Sequence, residues 1–155
     1  MISLLIRNLF FTILLPGFTA GVVPYWVLGG KIKIFTPLTA LQISGLFLLV
    51  PGLAILFHCI YRFAVEGRGT LAPFDPTRKL VVGGLYKYSR NPMYIGVIAI
   101  LAGESMLYMS GNLGIYTLII FAAFNIFIMI VEEPRLRRDF GKEYEGYCRR
   151  VRRWL

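Results

Sequence analysis

"PMYIGVIAILAGESMLYMSGNLGIYTLIIFAAFNIFIMIVEEP", residues 92–134, contains two long apolar runs separated by a short polar turn. The runs cover residues 92–109 and 113–131, and only the sequence SGN, residues 110–112, lies between them. At about 1.5 Å per residue, a helix of about 20 apolar residues crosses the hydrocarbon layer of a membrane. The stretch therefore predicts two membrane-spanning helices packed side by side as a tight antiparallel hairpin.

The rest of the chain is also apolar. Of its 155 residues, 57% are hydrophobic and 16% are charged, and the mean hydropathy is +0.66. This composition is unlike that of an ordinary soluble domain. Two further apolar runs, about residues 8–28 and 38–61, are long enough to span a membrane, and Pro16 and Pro24 predict kinks in the first. We therefore predict an all-α integral membrane protein with about four transmembrane helices in a single domain, residues 1–155.

Basic residues are concentrated in two segments. Of 17 Lys and Arg residues, six lie in the loop 62–91 and eight in the tail 134–155. The positive-inside rule places this loop, this tail and both termini in the cytoplasm. The net charge of +9 suits anionic lipid headgroups, and no pattern of a nucleic-acid-binding module is present. Cys59, Cys148 and the single His58 are too few and too scattered to predict a metal site or a disulfide framework.

The sequence RNP, residues 90–92, begins the third span on the predicted cytoplasmic side. Asn91 followed by Pro92 is typical of an N-cap and the first helical residue. The free backbone N–H groups of a helix N-terminus, with the Arg90 guanidinium beside them, suit an anionic group of a ligand. Gly96 lies on a face of small residues that leaves room for a close neighbour or a flat ligand. The alternative is a capped helix whose arginine simply follows the positive-inside rule.

An acidic pair, Glu132 and Glu133, follows the fourth span. There it is predicted to face the negative end of the helix dipole, where Lys or Arg would be more stable. Because spans three and four are antiparallel neighbours, the pair should meet Arg90 at the same membrane face. Asn125, Met129 and Glu132 share a helical stripe that would extend this polar surface into the membrane. The alternative is that the two glutamates pair with nearby arginines in a solvated interface.

The tail has apolar residues at helical spacing and basic residues opposite them. This pattern predicts an amphipathic cytoplasmic helix on the membrane surface, broken near Gly141 and anchored by Trp154. Such a helix would serve as an anchor, as a lid over the cytoplasmic site, or as both. The apolar positions are Leu136, Phe140, Tyr144, Tyr147, Cys148 and Val151.

Two further polar residues lie near these elements. Tyr88, in the loop before the third span, offers a ring and a hydroxyl to the mouth of the site, or belongs to an aromatic belt at the membrane interface. Glu104 lies roughly 16 Å into the third span and is predicted near the midplane. An acid at that depth serves either an acceptor channel or a structural hydrogen bond.

Two segments, taken in order, resemble a known family. GTLAPFDPTRKLVVGGLYKYSRNPMYIG, residues 69–96, and EEPRLRRDFGKEYEGYCRRV, residues 132–151, are similar to the integral membrane methyltransferases related to isoprenylcysteine carboxyl methyltransferase and the phospholipid N-methyltransferases. The resemblance covers residues 69–155. It implies that S-adenosylmethionine binds on the cytoplasmic side and that a lipid-soluble acceptor enters from the membrane.

The resemblance also implies roles for individual residues. Asn91 stands where isoprenylcysteine methyltransferases usually have histidine, and its amide donates hydrogen bonds but does not titrate. Glu132, or alternatively Glu133, is the candidate base for the proton of an amine acceptor. Arg138, or alternatively Arg137, is the candidate arginine near the reacting centre. With the loop residue Tyr88, the candidate cofactor-binding residues are Tyr88, Arg90, Asn91, Pro92, Tyr94, Gly96, Glu132 and Glu133.

The sequence leaves three matters open. The acceptor is an isoprenylcysteine-like carboxylate, a phospholipid amine or a small thiol, and the oligomeric state is undetermined. A nicotinamide-dependent membrane reductase of the sterol reductase type has a similar basic tail, although the short chain and the glutamate pair favour methyl transfer. The non-enzymatic alternative is a lipid-binding membrane subunit whose tail binds anionic headgroups.

Overall fold

The computed structural model of the protein describes residues 13–30, 32, 37–63, 65 and 79–155. Within these residues the chain forms helices and turns but no strand, which confirms the all-helical prediction. In chain order the elements are a π-helical segment Ile13–Val22, α1 (Val23–Val27), α2 (Ala40–Arg62), a 3-10 turn Gly84–Lys87, α3 (Pro92–Leu107), α4 (Gly111–Phe127), a second π-helical segment Ile128–Glu132 and α5 (Glu133–Arg150).

Among the described residues, two helical stretches are long and apolar enough to cross a membrane. They are α2, with 23 residues, and the run from α4 to the end of α5, Gly111–Arg150. The helix α3 is apolar but has only 16 residues. The last three predicted spans thus fall on α2, α3 and α4 with its π-helical extension.

The predicted first span is described only in part. Pro16 lies inside the π-helical segment and Pro24 in the first turn of α1, and both side chains are buried. Residues 8–12 of this span, and residues 64 and 66–78 of the predicted cytoplasmic loop, lie outside the described residues. The loop predictions are therefore compared with the structure only for the remainder of that segment.

The hairpin of α3 and α4 is as tight as predicted. The helix α3 ends at Leu107 and α4 begins at Gly111. Ser110 occupies the N-cap of α4, where its hydroxyl accepts a hydrogen bond from the Leu113 backbone N–H at 3.4 Å. The turn also places Met109 at a positive φ of 51°. The prediction of an antiparallel helical hairpin is confirmed.

Reciprocal glycines allow α2 and α3 to pack closely. A Cβ on Gly45 would lie 2.7 Å from the Gly103 carbonyl oxygen, and a Cβ on Gly103 would lie 2.7 Å from the Gly45 carbonyl oxygen. Gly52 and Gly96 face each other in the same way, at 2.9 and 3.0 Å. Small residues let two helix backbones approach in this manner. The small-residue face predicted around Gly96 therefore receives a neighbouring helix at this position, and α2 fixes the position of the start of α3.

The contact at Gly45 predicts a loss of stability on adding a single methyl group. Gly45→Ala is expected to lower the free energy of unfolding by about 1–3 kcal/mol, because the new Cβ would meet backbone atoms of α3 that cannot rotate away. Thermal unfolding in detergent, followed by circular dichroism, measures the change. Gly146→Ala is the matched control, since a Cβ there meets nothing within 4 Å. Equal midpoints for Gly45→Ala and the control would contradict the packing argument.

Glu104 lies in the last turn of α3. The helix ends three residues later, at Leu107, and the Glu104 carbonyl accepts the hydrogen bond of the Tyr108 N–H that closes this turn. The place of Glu104 near a bilayer midplane stays a prediction. Glu104 belongs to the end of α3 remote from Arg90.

The prediction that the helix of the fourth span ends at the acidic pair is wrong. The π-helical segment leads directly into α5, whose first turn contains Glu133 and Pro134. The Glu133 backbone N–H donates to the Ile128 carbonyl, so the helical backbone continues through the pair and neither end of a helix dipole lies at Glu133. The predicted break at Gly141 is confirmed by its φ of 49° and ψ of −122°.

The apolar face of α5 packs within the protein. Tyr144, Tyr147 and Val151 are buried and form one cluster with Leu80 of the preceding loop. Leu136, Phe140 and Cys148, the other residues of the predicted apolar face, pack against the same cluster. This packing brings α5 and the residues that follow it against the start of α3.

Candidate functional site

A buried ion-pair cluster is centred on Glu133. Its Oε1 lies 3.3 Å from Nη1 of Arg90 and 2.9 Å from Nε of Arg153, and its Oε2 accepts a hydrogen bond from Nη2 of Arg153 at 3.0 Å. The Arg90 and Glu133 side chains are only 13% and 10% exposed. The hydrogen bonds from Arg153 to the carboxylate raise the pKa of this arginine above its usual value. Glu133 therefore does pair with arginines, but in a buried cluster and not in a solvated interface.

The segment 151–154, which we call the C-terminal strap, lies across the start of α3. The chain becomes extended at Val151, with φ of −126° and ψ of 130°. The Arg90 N–H then donates to the Arg152 carbonyl at 2.9 Å, and the Ser89 hydroxyl donates to the Arg153 carbonyl at 3.2 Å. The strap thus binds residues 89–91 through its backbone and Glu133 through a side chain.

Asn91 occupies the N-cap position of α3 but makes no side-chain cap. Its amide donates to the Arg153 carbonyl at 3.0 Å, while its own backbone N–H donates to the Ser89 hydroxyl at 3.1 Å. The predicted helix start at Pro92 is confirmed. The predicted capping by the Asn91 side chain is wrong. A cap needs Oδ1 to accept from a backbone N–H of the first turn, whereas this side chain is held by the hydrogen bond from its Nδ2 to the strap.

Glu132 has a different partner from Glu133. The Tyr94 hydroxyl donates to Oε2 of Glu132 at 2.6 Å, and among the described residues this is the hydrogen bond that the carboxylate accepts. The Tyr94 ring packs edge-on against Phe124 of α4, with ring centroids 4.6 Å apart. One turn of α3 and the end of the α4 run therefore hold this carboxylate in place.

Arg90 also contacts the apolar face of α5. Its Nη1 donates to Sγ of Cys148 at 2.8 Å and lies 3.4 Å from the Tyr144 hydroxyl. Tyr147 donates to the Tyr86 carbonyl at 2.6 Å and so ties α5 to the 3-10 turn before α3. Burial raises the pKa of Tyr86 well above its usual value, so its hydroxyl stays protonated.

Trp154 contacts the α4 helix. Its indole N–H donates to Oδ1 of Asn125 at 3.2 Å, and its ring lies 5.3 Å from that of Phe121. Asn125 thus makes a polar contact on α4, as its place in the predicted stripe suggested. Met129 does not continue that stripe and is exposed, because the π-helical segment changes the angular spacing of residues after Phe127.

Two arginines and a tyrosine differ in their position relative to Glu132. The predicted Arg138 is 78% exposed and pairs with its neighbour Asp139 at 3.3 Å, so the structure does not bring it into the buried cluster. Arg135, which the sequence did not single out, lies close enough to act electrostatically on Glu132. The Tyr88 side chain, at 73% exposure, also lies outside the buried cluster.

The sequence signals for the missed residues were weak. Arg153 belongs to a basic run, RRVRRW, that is typical of a membrane-facing surface, and nothing in it marks the change to an extended backbone. Tyr144 and Cys148 were predicted on the apolar helix face, and their contacts with Arg90 follow from the folding of that face onto the start of α3. Arg135 lies one turn after Glu132, a spacing that could have been used.

The carboxylates of Glu132 and Glu133 differ in the groups that they can still bind. Both oxygens of Glu133 are taken up by guanidinium groups, so this residue neutralises charge and holds the strap. Glu132 accepts the hydrogen bond of the Tyr94 hydroxyl and lies near Arg135, and its carboxylate has further lone pairs for a cation or a proton. The Nε of Arg90 is buried without a hydrogen-bond partner among the described residues and has a donor left for an anionic group.

Comparison with protein families gives a match over more than half of the chain. The family model described as phospholipid methyltransferase matches residues 40–143, from the first residue of α2 into α5. The matched region contains Arg90, Tyr94, Glu132 and Glu133 and ends before the strap. Comparisons with curated proteins and with solved structures gave no match.

Proposed function

The chain belongs to the phospholipid methyltransferase family, and on this premise we propose that it transfers a methyl group from S-adenosylmethionine to a lipid-soluble or amphiphilic acceptor at the cytoplasmic face of a membrane. Family membership supports methyl transfer to a lipid-type acceptor in general. Of the acceptors left open by the sequence, the family description favours a phospholipid amine over an isoprenylcysteine-like carboxylate or a small thiol. The observation that carries the proposal is that the matched region holds Arg90, Tyr94 and Glu132 around one site.

The proposal includes a topology. The two long apolar helical stretches and the family indicate a membrane protein. We place four transmembrane helices across the bilayer, with the basic loop 62–91 and the tail 134–155 on the cytoplasmic side, because 14 of the 17 Lys and Arg residues lie in those segments. The site at the start of α3 then opens at the cytoplasmic interface, where a soluble cofactor and a lipid headgroup can meet.

The residues of the site fit the cofactor. S-adenosylmethionine carries a carboxylate, an ammonium group and ribose hydroxyls, and in this proposal it supplies an electrophilic methyl group on a sulfonium. Arg90 offers the buried Nε donor, and the N-terminus of α3 offers free backbone N–H groups for the carboxylate. Glu132 offers its remaining acceptor capacity to the ammonium group or the ribose.

The chemical work left to the protein is positioning and exclusion of water. When an amine attacks the methyl carbon, the new C–N bond forms as the C–S bond breaks, and the nitrogen must lose a proton. Glu132 is the residue that we propose takes this proton, held in place by Tyr94. We propose Arg135 in place of Arg138 as the arginine beside the reacting groups, since it lies near Glu132 while Arg138 is exposed.

Calorimetric titration of detergent-purified protein tests the cofactor. Saturable binding of S-adenosylmethionine is expected, and Arg90→Ala should weaken it about tenfold or more through loss of a charge-assisted hydrogen bond. Arg149→Ala, an exposed arginine on α5, is the matched control and should bind as the wild type does.

The same titration separates the alternatives. Binding of reduced nicotinamide cofactor with none of S-adenosylmethionine would favour the reductase and overturn the proposal. Binding of neither, by protein whose circular dichroism shows intact helix, would favour the lipid-binding subunit. Transfer of labelled methyl from S-adenosylmethionine to organic-extractable lipid is the result that supports the proposed reaction itself.

A further inference from the structure

Asn125 is the one amide side chain in the apolar sequence of α4, Gly111–Phe127, apart from Asn112 in its first turn. An amide inside a membrane is costly unless its groups are hydrogen-bonded. Nδ2 of Asn125 donates to the Phe121 carbonyl at 2.8 Å, and Oδ1 accepts from the Trp154 indole at 3.2 Å. The strap therefore supplies the partner that α4 itself cannot, and the orientation of the indole ring is fixed by this hydrogen bond.

Trp154 is linked to the Tyr94–Glu132 pair indirectly, through the contacts of two neighbouring residues. The preceding residue, Arg153, is bound to Glu133. Asn125, which accepts the hydrogen bond of the Trp154 indole, follows Phe124 in α4, and Phe124 packs against the Tyr94 ring. Asn125 precedes Glu132 by seven residues, which corresponds to about 10 Å along the helix. The indole thus lies on the hydrocarbon side of the proposed reacting carboxylate.

We infer that Trp154, oriented by Asn125, is a specificity-determining residue that contacts the lipid acceptor between its headgroup and its acyl chains. The inference rests on the proposed function. An acceptor whose amine reaches Glu132 must keep its chains in the hydrocarbon, since exposing them to water is unfavourable. Its glycerol region and first chain carbons then lie within the distance that separates Glu132 from Asn125. The Trp154 and Phe121 rings provide an apolar wall along that path.

The test is a steady-state assay with two varied substrates. The protein is reconstituted in vesicles of dioleoylphosphatidylcholine that contain increasing dioleoylphosphatidylethanolamine, and methyl transfer from tritium-labelled S-adenosylmethionine to extractable lipid is measured. Trp154→Ala is expected to raise the KM for phosphatidylethanolamine about tenfold while the KM for S-adenosylmethionine stays within about twofold of the wild-type value. Asn125→Leu should raise the lipid KM by a smaller factor, because the ring remains but loses its fixed orientation.

Matched variants separate specificity from anchoring. Trp154→Phe keeps an aromatic ring and should recover most of the lipid KM. Trp26→Ala removes the other tryptophan of the chain, which is exposed on α1, and should leave both KM values unchanged. If Trp154 serves only as a membrane anchor, Trp154→Ala will lower the yield of folded protein and leave both KM values of the surviving enzyme as in the wild type. That outcome would overturn the inference.

Failure of the proposed function gives a different result. Wild-type protein that binds S-adenosylhomocysteine but labels no lipid would overturn the lipid acceptor, and this inference with it. Wild-type protein that methylates phosphatidylethanolamine, with a lipid KM that Trp154→Ala does not move, would overturn this inference alone. A parallel rise in both KM values would also overturn it, because the strap would then act on the cofactor side.

Discussion

Glu132→Gln is expected to lower methyl transfer by about 100-fold or more, within the range observed for loss of a general acid or base. Glutamine has nearly the shape of glutamate and can still accept the hydrogen bond that Tyr94 donates to Glu132. It cannot take a proton from an amine or balance the charge of an ammonium group. The expected loss is therefore in the chemical step and in cofactor binding, with the fold preserved.

The measurement is the rate of labelled methyl transfer at saturating lipid, with circular dichroism as a check of helix content. Tyr94→Phe should show a smaller loss, about tenfold, because the carboxylate remains and only its positioning hydrogen bond is removed. Glu145→Gln, an exposed residue of α5, is the matched control and should keep the wild-type rate. A Glu132→Gln variant with the wild-type rate would exclude this carboxylate as the base.

The sequence was sufficient to predict the helical hairpin and the meeting of Arg90 with the acidic pair. Both predictions depend on local signals: two apolar runs, a turn of three residues, and a helix start at Pro92. Antiparallel neighbours joined by a short turn have little freedom in how their ends align. The two apolar runs and the short turn alone therefore place the side chains at those ends on the same face of the protein.

The separate roles of Glu132 and Glu133 could not be predicted from the same signals. Adjacent residues on a regular helix differ by a fixed angle, but a π-helical segment precedes this pair and changes which way each side chain points. Pro134 was also interpreted as the end of a helix, whereas it occupies the first turn of α5. The helical backbone therefore continues through Glu133, and the predicted negative end of a helix dipole does not lie there.

Contacts between distant segments account for the remaining differences. Asn91 would cap α3 if the strap were absent, and its amide is instead used on the Arg153 carbonyl, 62 residues away in sequence. Gly96 suggested either a ligand or a neighbour, and the choice depended on Gly52 of α2 lying opposite. Neither partner can be found from the pattern around the residue itself, because each is set by the packing of the whole bundle.

Glu133→Ala is expected to lower the free energy of unfolding by about 3–5 kcal/mol, the usual effect of removing one partner from a buried ion pair. The loss follows from the positive charges that remain unpaired when the carboxylate is removed. Arg90 and Arg153 both bind this carboxylate, and without it two guanidinium groups lie close together, on side chains that are 13% and 33% exposed. Thermal unfolding in detergent measures the loss, and Glu143→Ala, exposed on the same helix, is the control.

A double variant tests whether the repulsion is the cause. Removing Arg153 as well takes away one of the two facing cations, so Glu133→Ala with Arg153→Ala should be less destabilised than the sum of the single variants. A strictly additive result would mean that the carboxylate and the arginine act independently, contrary to the 2.9 and 3.0 Å contacts between them. Glu133 holds the strap, whereas Glu132 faces the proposed substrates. The Glu133 variants should therefore be less stable, while the protein that remains folded keeps its rate of methyl transfer.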